Sequence, residues 1–138
     1  MVDKPKLDQM LSNLRRYVAV LRGLAAAPRA AFLSNPDKIG NAKYHFVIAI
    51  ECCIDIANHV IASENYRFPK DNADSFIVLG EHGVLDRTFA DSLGLMARFR
   101  NRLVHVYWDV EDRQVSEYLQ QSLADFERFA REIADHPW

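Results

Sequence analysis

Residues 37–64 read DKIGNAKYHFVIAIECCIDIANHVIASE, and their spacing decides the fold. Val47, Ile50, Ile54, Ala57 and Ile61 recur at steps of three and four, the period of one face of an α-helix. Ile48 and Val60 widen that face, so this helix belongs at the centre of a core. A second line on the same helix runs Tyr44, Ile48, Glu51, Asp55, Asn58. Its three polar members either face solvent on the outer side or brace a charged site from behind.

Working outward, the N-terminal flank repeats the pattern. Leu7, Leu11, Leu14, Val18 and Leu21 form one stripe of a helix over about residues 3–27, with Asp3 as cap and Pro5 in its first turn. The segment PRAAFLSNPDKIG is a connection with room for a short helical piece, and Asn35-Pro36 marks a break. Downstream, NYRFPKDNADS reads as a loop and residues 75–82 as a short helix with Phe76 and Leu79 inward. Gly80 weakens that helix and Gly83 ends it. A fourth helix starts at the cap Asp86, carries Phe89, Leu93, Met96, Arg100, Leu103 and Tyr107 on one stripe, and ends near residue 108 or 109. A fifth covers residues 113–134 with Leu119, Leu123, Phe126, Ala130 and Ile133 on one side, and the tail DHPW is expected to fray. No hairpin signal competes. The expectation is one all-α domain over residues 1–138, a bundle of four main helices plus a short one.

Composition narrows the function. Seventeen Lys and Arg against nineteen Asp and Glu give a formal charge of -2, which excludes a broad basic coat for duplex DNA but leaves room for a local positive patch. The two cysteines, Cys52 and Cys53, are adjacent and point to different sides of a helix, so they cannot staple a loop. They read as core filling. The start MVDKPKLDQM has no apolar signal region and no run approaches a membrane span. A cytoplasmic protein without a membrane role is expected.

The chemistry concentrates in RFRNRLVHVYW, residues 98–108. Arg100 occupies an apolar stripe position, where a guanidinium must snorkel, pair with an acid or line a cleft. Arg98 and Arg102 flank it, and Asn101, His105 and Tyr107 follow. Arginine grips phosphate through a fixed fork of donors. Histidine exchanges protons near neutrality. Tyrosine and tryptophan stack on bases or pack. These are the parts needed to cleave RNA through its own 2′-hydroxyl. On a straight helix, Arg100 and His105 lie about 140° apart, whereas Arg100 and Tyr107 lie only about 20° apart. Either the helix breaks near His105 or two chains combine across a twofold axis, which is a reason to expect a dimer. Helices one and four are expected to hold it.

Arg100, the Asn that follows it, His105 five residues on and Tyr107 two beyond resemble the HEPN family of small helical proteins, in particular its HepT toxin branch. AIECCIDIANHVIA (residues 49–62) and LGEHGVLD (residues 79–86) extend the resemblance, which covers roughly residues 7–129. The resemblance implies a HEPN-like helical homodimer with a cleft at the interface and Arg100 and His105 as catalytic pair. It implies RNA cleavage without a metal, and a neighbouring MntA-type nucleotidyltransferase antitoxin that adds AMP to Tyr107. Asn101 would then orient the phosphate or the histidine. Arg98, Arg102 and Tyr107 are candidate phosphate contacts, and Glu51 and Asp55 candidate braces for Arg100 or His105. No cofactor and no metal are expected: His59 lies four residues after Asp55, but two such residues make a poor metal site. The alternative is a non-catalytic module that binds nucleotide or RNA, or an accessory subunit of the transferase, in which the same Arg, His and Tyr are ligands or interface residues.

Overall fold

A computed structural model describes all 138 residues. It contains seven α-helices, one 3₁₀ turn and no strand: α1 Lys4–Ala25, α2 Arg29–Leu33, α3 Pro36–Ser63, α4 Asn72–Glu81, α5 Arg87–His105, the turn Tyr107–Asp109, α6 Asp112–Gln121 and α7 Leu123–Asp135.

Two of the caps that start these helices, Asp3 and Asp86, are the expected ones; Asn35, read as part of a break, and Asp71, read as part of a loop, are the others. Asp3 accepts from Lys6 N at 3.2 Å, Asn35 from Lys38 N at 3.2 Å, Asp71 from Asp74 N at 2.7 Å and Asp86 from Phe89 N at 3.0 Å. Each satisfies a backbone donor that the first turn leaves free. Asp71 begins α4 at Asn72, three residues ahead of the expected start. Gly83 adopts φ 72° behind α4, a conformation that favours glycine. Gly80 has a different role from the one expected. A Cβ there would sit 2.9 Å from the Ala90 Cβ, so its lack of a side chain lets α4 and α5 approach closely.

α3 is the axle, packed against α1, α2, α4, α5 and α6. By length and composition alone it is apolar enough to cross a membrane, a test that the core helix of a globular protein also passes, because Ala and Cys fill the gaps between its larger residues. Its apolar face is spent internally: Ile39, Phe46, Ile50, Ile54, Ile56, Val60 and Ile61 are all buried. Phe46 meets Phe99 edge-on at 5.4 Å, with Tyr118 and Phe126 beside it. Truncating so enclosed a ring would cost about 3–5 kcal/mol. Cys53 is buried, and Cys52 donates to Met10 O at 3.4 Å. Burial pushes the Cys52 thiol up to about 11, so it is not a ready nucleophile.

The stripe of α1 (Leu7, Leu11, Leu14, Val18, Leu21) is wholly consumed by this core. Two helix ends also differ from expectation. The apolar stripe runs unbroken from Leu119 to Ile133, yet the chain breaks at Ser122 into α6 and α7. A one-residue break that keeps the stripe in phase leaves no mark on periodicity. The tail does not fray, because Trp138 Nε1 donates to Ile133 O at 2.9 Å.

The connection between α3 and α4 is clasped by Arg67. Its guanidinium donates to both oxygens of Asp74 at 2.8 and 2.9 Å, to both oxygens of Glu81 at 2.8–3.2 Å and to Phe68 O at 3.5 Å. Tyr66 stacks on His82 with ring centroids 3.6 Å apart.

Candidate active site

α5 carries the motif, and its end is where the local structure departs from a straight rod. It stays helical through His105 and stops at Val106, whose φ of -137° and ψ of 44° leave the helical region. Val106 N still bonds Arg102 O at 3.0 Å, and the chain then turns through the 3₁₀ segment. Tyr107 thus lies beyond the break, and the small angular offset from Arg100 expected of a continuous helix does not hold. The offset of about 140° between Arg100 and His105 does hold, since every residue between them is helical.

Arg100 both pairs with an acid and lines a cleft. Its Nε and Nη2 donate to Glu51 Oε1 at 3.2 and 2.7 Å, and Nη1 donates to Asn101 Oδ1 at 3.0 Å. Its side chain is 20% exposed. A guanidinium has five N–H donors, and these bonds take three. One N–H therefore remains on each terminal nitrogen, a fork suited to two phosphate oxygens. Asp55 lies one turn along α3 from Glu51 and lines the same cleft. Its carboxyl titrates above the ordinary aspartate range because burial and the neighbouring Glu51 disfavour its charge, against the pull of Arg100.

The other motif residues separate. Arg102 points away from this cluster: its Nη2 reaches Asp109 O at 3.4 Å and Gln114 Oε1 at 3.2 Å. Gln114 Oε1 also accepts from Glu111 N at 3.1 Å, so one amide oxygen ties the start of α6 to the turn that carries Tyr107. Arg102 is therefore a tether for that turn through Nη2, with Nε and Nη1 unspent. Arg98 is exposed and forms no ion pair. His105 is exposed at the end of α5, and Tyr107 is 64% exposed with Trp108 edge-on at 5.4 Å. The structure thus gathers Arg100, Asn101, Glu51 and Asp55, and leaves His105 and Tyr107 free on the surface beside them in sequence. Gln114 escaped the sequence reading, although a Gln three residues after Glu111 at a helix start is a capping signal. His59 Nε2 is buried without a partner and no group of three or more His, Cys, Asp or Glu side chains converges anywhere.

Comparison with known proteins identifies the family of the chain. The profile of the family described as Ribonuclease HepT-like matches residues 6–133. The chain is 35% identical over 79 residues to the mRNA nuclease HepT of Shewanella oneidensis, a stretch covering 57% of this chain and 59% of that protein. It is 29% identical over 127 residues to the tRNA nuclease HepT of Aphanizomenon flos-aquae, covering 92% of this chain and 86% of that one. Among solved structures, the tri-AMPylated Shewanella oneidensis HEPN toxin in complex with MNT antitoxin superposes with a TM-score of 0.88 at 24% identity, covering 99% of this chain and 100% of that one. With the helical bundle, the motif on α5 and a profile match over nearly its whole length, the chain belongs to the HepT-like ribonuclease family.

Proposed function

We propose that this chain is a metal-independent endoribonuclease, the toxin of a toxin–antitoxin pair, acting in the cytoplasm as a single-domain homodimer with Arg100 and His105 as its catalytic residues. The observation that carries this reading is the half-spent guanidinium of Arg100, held by Glu51 and Asn101 with two N–H groups left over. The same guanidinium lines a cleft together with Glu51, Asp55 and Asn58.

Arg100 and His105 face different directions on one helix, so a complete site needs one residue from each of two copies. The surface available for that pairing lies on α3, on α5 and just beyond it, where Tyr44 and Trp108 are 61% and 72% exposed and Val104 is uncovered. In the assembled site, Arg100 binds the scissile phosphate and offsets its growing charge. His105 takes the proton from the 2′-hydroxyl as that oxygen attacks phosphorus, and the bond to the 5′-oxygen breaks. A proton from the partner copy's histidine or from water goes to the departing oxygen. The product is a 2′,3′-cyclic phosphate. Glu51 sets the angle of Arg100 and Asp55 backs it. The pairing of Glu51 with Arg100 also argues against a metal route, because the acid that Mg²⁺ would need is already neutralised.

The relatives named for mRNA and for tRNA cleavage support RNA as the substrate class. The complexes formed by structural neighbours support an MntA-type nucleotidyltransferase as partner. It would transfer AMP from ATP to the Tyr107 hydroxyl with release of pyrophosphate. The exposure of that ring suits such a modification. The test is cleavage of single-stranded RNA by the purified protein in EDTA. Wild type should cut, and Arg100→Ala and His105→Ala should each lose at least about 100-fold in rate with helical content unchanged. Equal cleavage by either folded variant, or no cleavage without Mg²⁺, would overturn the reading.

A further inference from the structure

Beside Arg100, α3 and the first turn of α4 enclose a cleft of about 230 Å³ lined by Glu51, Ile54, Asp55, Asn58, Asn72 and Arg100. It is smaller than the roughly 300–1,000 Å³ that hold drug-sized ligands, and its scale suits one nucleobase. Ile54, buried to 5% exposure, provides the one apolar wall.

The polar groups in it are set in known directions. Asn58 Oδ1 accepts from Ser75 Oγ at 2.8 Å, and Ser75 is itself only 1% exposed. That bond fixes the amide and leaves both N–H groups of Asn58 as unspent donors. Asp55, three residues earlier on the same face of α3, receives no hydrogen bond, and one oxygen of Glu51 is equally unspent. The cleft thus places a carboxylate acceptor next to an amide donor, with the Arg100 fork at its edge. A second phosphate would meet two carboxylates there, and a cation would meet Arg100. A neutral ring with N–H donors beside a ring acceptor meets neither penalty.

We infer that this cleft is a base-recognition subsite, taking the base of a nucleotide next to the phosphate held by Arg100 and preferring bases with an exocyclic amino group over uracil. Asp55 accepts from the amino group and Asn58 donates to the adjacent ring nitrogen or carbonyl. Uracil offers a single N–H between two carbonyl oxygens, and seating it turns one of those oxygens onto a carboxylate. Asn72, at the start of α4, closes the cleft from the other side.

This inference rests on the ribonuclease reading, and the experiment separates the two. Short single-stranded RNAs carry one cleavable step, every other 2′-oxygen being methylated, with A, C, G or U placed on either side of that step. The purified full chain should cut them with kcat/KM about tenfold higher when an amino-bearing base replaces uracil on one of the two sides. Asn58→Ala and Asn72→Ala should each bring that ratio toward one, with far-ultraviolet circular dichroism confirming the fold. Asn72→Ala keeps the test intact if loss of the Ser75 bond loosens Asn58→Ala. Cleavage by wild type with no base preference, or a preference that both variants keep, overturns the subsite. No cleavage of any of these RNAs overturns the ribonuclease reading, and the subsite with it.

Discussion

Arg67 and Arg100 are both partly exposed arginines held by acids on a neighbouring helix, and they differ in what remains unspent. Arg67 uses all its N–H groups on Asp74, Glu81 and the Phe68 carbonyl. Arg100 gives two bonds to a single oxygen of Glu51 and one to Asn101. The first guanidinium is a clasp that closes the loop between α3 and α4. The second is aimed but open. Counting unspent donors thus separates these two arginines, where charge alone does not.

Exchanging the fork for a point charge at each site should break the comparison most sharply. Arg100→Lys should lower RNA cleavage by about 100-fold, because an ammonium cannot match two phosphate oxygens in fixed geometry, and should hardly move Tm. Arg67→Lys should leave cleavage unchanged and lower Tm by about 2–4 °C. Thermal melts and cleavage rates on the two proteins give the crossed result, and a Tm loss at residue 100 with a rate loss at residue 67 would reverse the assignment.

Glu51→Gln comes next in size. The amide still accepts from Arg100 but no longer carries charge, so the fork wanders and kcat should fall about tenfold with KM less affected. An unchanged kcat would show that Arg100 needs no brace.

The smallest effects are titrations of opposite sign. Asp55 titrates above its ordinary range, with burial the larger cause and Glu51 the second. Its raised value means that the folded state loses stability as pH rises through it. Asp55→Asn should therefore melt about a degree higher at neutral pH, and the difference should vanish once the pH is below the ordinary aspartate range. Asp74 lies on the other side. The hydrogen bonds from Arg67 lower it to about 2, so its contribution is present above the ordinary range and fades as the pH falls toward that value. Asp74→Asn should lower Tm at neutral pH and should cease to matter in strong acid. Melting curves of both variants across acid and neutral pH check the two signs.

Much of this was legible in the chain itself. The stripe of α1 names its buried residues correctly, because burial on a helix is written in its period; that of α3 is right at Ile50, Ile54, Ala57, Val60 and Ile61 but leaves Val47 and Ile48 half-buried and misses Phe46, since a helix packed on several sides buries more than one stripe. Asp3 and Asp86 announce their helix starts through a local hydrogen bond. Arg100 stood out as a charge on an apolar stripe, and Glu51 as a candidate brace from the neighbouring line. What stayed hidden depends on tertiary placement. Arg67, Asp74 and Glu81 fall at seven-residue spacing, yet only folding the loop back brings the first onto the other two. The break at Val106 moved Tyr107 off the face of Arg100; a break near His105 was one of the two arrangements the motif allows, but a β-branched residue followed by aromatics gives no cap signal to decide for it. The turn of Arg102 toward Gln114 depends on where α6 begins.

α3 also bears on how the chain is made. Phe46 is shielded by Phe99, Tyr118 and Phe126, all of them synthesised long after it. A nascent chain that has completed only α1 to α3 therefore shows the ribosome's surroundings an apolar rod covered on one side. Half-built, this protein is at its most adhesive, and its escape from aggregation is a race between elongation through α5 and encounter with another exposed chain. Slowing translation downstream of residue 63 would lengthen that exposure, so the yield of folded protein is tied to the pace of synthesis of its second half as well as to the stability of the finished bundle.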